Sequence, residues 1–213
     1  MFYTDRISKA FRMGDIIKGY SEILPIYNTN TSSSDSFEIN LKIISHDYFV
    51  ILTPCCSIEQ KEAIIVPLRK INSNLLMSQY ILENFLIINR PMKRREAMGD
   101  KTFASLSPEE QIEMENAPPA YEYLDKFIYN EHDIFNSYEI YKKRARDDEV
   151  RIVTNKYMIC FKDAMKISCN LFERNNTNCR KILELSPLSR ADLRNKLGKF
   201  YSRPAEEDKE FLI

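Results

Sequence analysis

"YFVILTPCCSI", residues 48–58, is an apolar run that stops at Pro54 and then presents two adjacent cysteines and a serine. β-branched and aromatic residues closed by a proline read as a buried strand and its terminus. Similar runs surround it: "GDIIKGYSEILPIYN" (14–28), "SFEINLKIIS" (36–45) and "EAIIVPLRKI" (62–71), separated by polar breaks such as "NTNTSSSDS" (28–36). Pro25 and Pro67 belong at strand ends, edges or bulges, because proline has no amide proton for a ladder. The spacing predicts a curved antiparallel sheet or a small barrel over residues 14–71. Strands of "VRIVTNKYMICFKDAMKISCNLF" (150–172), broken near Lys162 and Asp163, are expected to return to it from 149–172.

Helical periodicity appears elsewhere. "NLLMSQYILENFLIINR" (74–90) places Leu75, Leu76, Gln79, Tyr80, Leu82, Phe85 and Leu86 at three- and four-residue spacings, which predicts a buried helix over 75–89. "SPEEQIEME" (107–115) begins with Ser107 in N-cap position, Pro108 at the first helical position and Glu110 completing a capping box. Pro118 and Pro119 end that helix. "LSPLSRADLRNKLGKFYSRP" (185–204) predicts a last helix over 189–201, capped by Ser189, with Leu193, Leu197, Phe200 and Tyr201 on one face and a basic reverse face. The fold class is therefore α+β: a curved antiparallel sheet or SH3-like barrel with covering helices. A single domain is expected over 1–213, with helical parts at 75–130 and 187–203.

Composition limits the function classes. The 213 residues carry 31 Lys and Arg against 31 Asp and Glu, so nucleic-acid or membrane binding must come from local patches. The opening "MFYTDRISKAFRMGD" holds acidic residues and no long apolar core, and no stretch reaches membrane-spanning length. A cytoplasmic protein that does not enter membranes is expected. Five irregularly spaced cysteines fit thiols in a reducing compartment better than a disulfide framework.

Cys55 and Cys56 are candidate reactive thiols. Adjacent side chains on an extended chain point to opposite faces, so one of the pair is expected in the core and the other at a groove. With Cys160, Cys169, Cys179 and His46 as the remaining candidates, no recognised zinc spacing is present, and neither metal nor cofactor is expected. His46 lies nine residues before Cys55, roughly 30 Å along a strand, too far to serve it as a base. Basic groups offer a second kind of site: Arg69 and Lys70 in "PLRKI", Lys93, Arg94 and Arg95 in "PMKRRE", "KKRAR" (142–146), and Arg190, Arg194, Lys196, Lys199 and Arg203 near the C-terminus. Such clusters can follow a phosphate backbone or simply form solvated faces.

The order of three short motifs, Gly14-Asp15-Ile16, then Ile51-Leu52-Thr53-Pro54, then Val66-Pro67-Leu68, resembles the MazF/PemK family of SH3-like barrels. Many members of that family are toxins that cut single-stranded RNA without metal, an arginine and a hydroxyl residue stabilising the transition state and moving protons. The chain has "HDYFV" where the family has Arg-Pro before its second strand, and Arg69 where the family has a hydroxyl after Pro-Leu. The resemblance thus implies a barrel with Arg69 on the phosphate and Thr53 or Ser57 beside it. The chain also resembles a looser group of uncharacterised bacterial proteins with a GDI start, a Thr/Ser-x-x-Cys-Asp strand end and a C-terminal helix like "LSPLSRADLRNKLGKFYSR"; here Ser57 follows Cys56.

Three functions follow as expectations. The first is a binding module that engages RNA or a protein partner in a bacterial toxin–antitoxin or defence system. The second is a metal-independent endoribonuclease. The third is a regulatory subunit covered by another protein over apolar surface around "FIYNEHDIFNSYEIY" (127–141).

Overall fold

The structure, a computed structural model, describes residues 1–27, 39–54, 62–72, 75, 81, 84–143, 149–168 and 179–202. It is α+β, built of antiparallel sheets and helices, and it divides into two units. A sheet unit comprises residues 4–68 and 164–184; a mixed unit comprises residues 1–3, 69–163 and 185–213. Among the described residues, no helix is long and apolar enough to cross a membrane.

The sheet unit holds β1 (Ile16–Lys18), β2 (Ser21–Tyr27), β3 (Ile39–Ser45), β4 (Phe49–Ile51), β5 (Glu62–Pro67), β11 (Met165–Ser168) and β12 (Arg180–Leu183). Five of them form one antiparallel sheet in the order β11-β5-β4-β1-β12, and β2 and β3 make a separate hairpin. The three sequence motifs fall on adjacent strands: Ile16 faces Val50, and Val50 faces Val66. Both prolines sit where a missing amide is harmless, Pro25 in the two-stranded hairpin and Pro67 as the last residue of β5. Ile17, Phe49, Ile51 and Ile65 form the core, with Met165 and Ile167 of β11 packed against it. Of the strands expected to return from 149–172, Met165–Ser168 joins this sheet, whereas Glu149–Thr154 and Tyr157–Cys160 pair within the mixed unit; β12, beyond that range, supplies the other edge.

The GDI segment has a structural job in this chain. Gly14 turns the chain at φ +87°, a conformation costly for any side chain, and its amide donates to the Ile51 carbonyl at 2.7 Å. Asp15, fully buried, accepts from the Arg12 amide at 2.8 Å and from Lys181 Nζ at 2.9 Å. Lys181 also donates to Glu184 at 3.1 Å, and Glu184 accepts from the Ser8 amide and hydroxyl at 2.9 and 2.7 Å. One buried lysine therefore serves two buried carboxylates and ties the N-terminal segment to β12. Burial pushes Asp15 up to about 6 against the pull of Lys181. Burial also opposes ionisation of Glu184, but the Ser8 and Lys181 hydrogen bonds outweigh it and hold Glu184 at about 2.

The mixed unit carries β6 (Arg69–Lys70), β7 (Lys126–Tyr129) and β10 (Tyr157–Cys160) in the order β6-β10-β7, together with the hairpin of β8 (Tyr138–Lys143) and β9 (Glu149–Thr154). Its helices are α1 (Arg94–Met98), α2 (Asp100–Ala104), α3 (Pro108–Asn116) and α4 (Pro187–Ser202). Ile71, Leu75, Ile81, Phe85, Ile88, Ile128, Ile140 and Met158 form the core. α3 begins as the sequence predicts, with the Ser107 hydroxyl accepting from the Glu110 amide and the Glu110 carboxylate accepting from the Ser107 amide.

Other expectations are revised. Much of 75–89 lies outside the described residues, and its described end, Phe85–Asn89, is a 3-10 helix capped by Asn84. α4 starts at Pro187, because the Ser186 hydroxyl caps it by accepting from the Ser189 amide at 3.3 Å, so Ser189 sits buried within the helix. The segment "FIYNEHDIFNSYEIY" is not an exposed patch, since Phe127, Ile128, Tyr129, Phe135 and Ile140 are all buried in the unit's own core. Tyr141, at the end of that segment, is exposed.

Asn89 holds the edge of this core. Its amide nitrogen donates to the Ile128 carbonyl and its oxygen accepts from the Ile128 amide, both at 2.7 Å, as a strand neighbour would. Asn89→Ala leaves both buried groups of β7 without these partners and is expected to cost about 2 kcal/mol in a urea melt. Faster hydrogen exchange at the Ile128 amide locates the loss.

Candidate nucleic-acid interface

The catalytic pair implied by the family resemblance is already engaged. The Thr53 hydroxyl is buried and accepts from the Ile64 amide at 2.5 Å, closing the end of the β4–β5 pair. Arg69 lies on β6, in the other unit, and its guanidinium forms an ion pair with Asp163 at 3.5 Å. Cys55, Cys56 and Ser57 lie outside the described residues, as do 28–38, 144–148 and 203–213. Cys160 and Cys179 are half-buried thiols, and burial raises both. Among the described residues, no group of three or more His, Cys, Asp or Glu side chains is placed to hold a metal ion.

The basic residues of the mixed unit have different surroundings. Lys70, next to Arg69 on exposed β6, lies over the Tyr138 ring at 5.3 Å. Arg95 pairs with Glu115 at 3.2 Å and stacks on Phe103 at 4.9 Å, so its charge is partly neutralised. Lys93 caps α1 with its amide, which donates to Glu96 at 2.9 Å. Arg94 is exposed and lines a cavity.

That cavity lies beside a contact between residues far apart in sequence. Met92 and Ala120 exchange two backbone hydrogen bonds of 3.0 Å, so the excursion containing α1, α2 and α3 returns to its starting point. The space beside this contact, about 400 Å³ and open to solvent, is walled by Met92, Met98, Met114 and Ala97, with Arg94, Tyr121 and Glu122 completing it. A second cavity of about 450 Å³ runs along α4, lined by Arg194, Asn195, Gly198, Lys199 and Ser202. Tyr121 belongs to both. Among the described residues, no acidic side chain stands within ion-pairing distance of Arg94, Arg194 or Lys199.

Lys196 fixes Tyr121 and Glu122 from below. It is fully buried on α4, with Nζ donating to the Ile88 carbonyl and, at 3.4 Å, to the Glu122 carbonyl. The same nitrogen lies 5.5 Å from the centre of the Tyr121 ring. Burial pushes Lys196 down to about 7, with Asp125 and Glu122 acting to raise it and Lys126 to lower it. Burial likewise raises Glu122 against the pull of Lys196, and raises Tyr121, which Asp192 pushes the same way. The sequence places Lys196 on the basic outer face of the last helix. In the folded chain Ser189, Leu193, Lys196 and Phe200 form the buried stripe, and Tyr201 is exposed.

Taken together, the site offers an aromatic face, a flexible apolar hollow and three exposed cations around it. This chemistry suits a flat apolar group attached to an anion. Compared with known proteins, the chain matches no family model, no curated protein and no solved structure.

Proposed function

We propose that the chain is a binding module of the MazF/PemK-like barrel type that engages single-stranded RNA without cutting it. The observation that carries this reading is the clustering of Arg94, Arg194 and Lys199, none with an acidic partner among the described residues, around the shared ring of Tyr121. Cations alternating with an aromatic platform are what sequence-tolerant single-strand binding requires, because every base has a face to stack and every linkage carries a charge. The barrel part of the proposal is supported by the three motifs falling on the adjacent strands β1, β4 and β5 of one antiparallel sheet.

The ribonuclease reading draws less support. Its arginine is paired with Asp163 and its threonine hydroxyl is committed to the Ile64 amide, so neither side chain is poised for a phosphorane-like transition state. A bacterial toxin–antitoxin or defence setting is the biological context that the resemblance implies. The test is to incubate the protein with an end-labelled RNA oligonucleotide in the presence of EDTA. Binding with the strand left intact is the expected result, and cleavage that disappears in Arg69→Ala would replace the module with the enzyme.

A further inference from the structure

We propose that the methionine-walled cavity beside Tyr121 receives one unstacked base of a bound RNA strand, with Glu122 accepting from that base's amino edge. This rests on the single-strand binding reading and goes beyond it, since electrostatic binding alone needs no pocket. The walls explain what would enter. Met92, Met98 and Met114 present thioethers on unbranched stems, which adapt to a ring inserted between them and make favourable sulfur–aromatic contacts. Ala97 leaves the floor of α1 open, and the volume, about 400 Å³, is within the range of cavities that bury small ligands.

The position of the charges explains what the ring would be attached to. Arg94 lines the cavity itself, while Arg194 and Lys199 line the cavity along α4 that shares Tyr121 with it. A strand passing over Tyr121 thus has cations for its phosphates in both cavities. Glu122 is the carboxylate of the lining, and on the C5 side of the ring, away from N3, a carboxylate accepts from cytosine N4 whereas uracil presents only the O4 acceptor. The backbone of Glu122 is pinned by Lys196 and its neighbour's ring is stacked over the same nitrogen, so the acceptor is carried on a fixed segment.

The experiment uses three fluorescein-labelled six-residue strands, oligocytidylate, oligouridylate and an abasic sugar-phosphate of equal charge, titrated by anisotropy against the full chain. Wild type is expected to bind oligocytidylate about tenfold more tightly than oligouridylate. The abasic strand is expected to be weaker than both. Glu122→Ala should erase the difference between the two bases while retaining binding. Ala97→Phe, which fills the cavity, should bring oligocytidylate down to the affinity of the abasic strand, and Met114→Trp does the same from α3 should Ala97→Phe misfold. Equal affinity of wild type for all three strands overturns the base pocket and leaves the electrostatic module standing. Failure of every strand to bind overturns both.

Discussion

Lys181→Met is expected to destabilise the protein by about 3–5 kcal/mol at pH 7, the usual cost of removing one partner from a buried ion pair. Lys181 is 6% exposed, and its two partners, Asp15 and Glu184, are 0% and 3% exposed. Without the ammonium, the fully buried Asp15 loses its ion-pair partner, while Glu184 keeps the partly exposed Arg12 guanidinium at 3.4 Å and its Ser8 hydrogen bonds. The variant should recover relative to wild type at pH values above the wild-type Asp15 value of about 6, because without Lys181 to hold it down that carboxyl takes up its proton at higher pH, and a protonated carboxyl needs no counter-charge. Glu184 gives the wild type its own acid limit. Its folded value lies well below the ordinary 4.5, so the stability it contributes is complete above 4.5 and lost as the pH falls toward about 2. Urea melts at pH 7, 5 and 3 check both statements, and a variant as stable as wild type at pH 7 would remove the cluster from the account of the sheet unit.

Lys196→Ala carries the second large effect, about 3 kcal/mol, from the lost stem packing and the lost donor to the Ile88 and Glu122 carbonyls. Lys196→Met keeps the stem and isolates the charge. Burial lowers Lys196 from 10.5 to about 7, so between those values the unfolded chain holds a proton that the folded chain has released. Stability of the wild type should therefore rise with pH across that window, by up to about 1.4 kcal/mol per pH unit, and level off below pH 7, where both states are charged. The Met variant should lack that slope. Because Lys196 supports Tyr121 and Glu122, both variants should also weaken RNA binding even at temperatures where they remain folded.

The parts of this structure written locally in the sequence are the parts that reading it recovers. β1, β4 and β5 announce themselves as β-branched runs ending in Gly, Pro or polar residues, and Ser107, Pro108 and Glu110 specify the start of α3 within four positions. The candidate site is written across distance. Met92 meets Ala120 only after three helices have been laid down, so the cavity leaves no periodic signal. Arg94, already singled out among the basic residues, lines it, whereas Tyr121 has no motif around it. Lys196 reads as one more cation on an amphipathic helix, and only the carbonyls of Ile88 and Glu122, supplied by remote segments, make its burial tolerable. Asp15 is similar: the GDI motif is visible, but the lysine that accounts for its buried aspartate lies 166 residues away.

The central claim is that exposed cations around Tyr121 hold the backbone of a single strand, and the salt dependence of RNA affinity tests it most directly. Wild type and the triple variant Arg94→Ala/Arg194→Ala/Lys199→Ala would be titrated with the same labelled RNA from low to moderate salt. Each single-strand phosphate contact contributes about 0.7 to the slope of log affinity against log salt, so loss of three should flatten it by about 2. A triple variant that matches wild type in both affinity and slope, or a wild type that binds no RNA at low salt, would contradict the account.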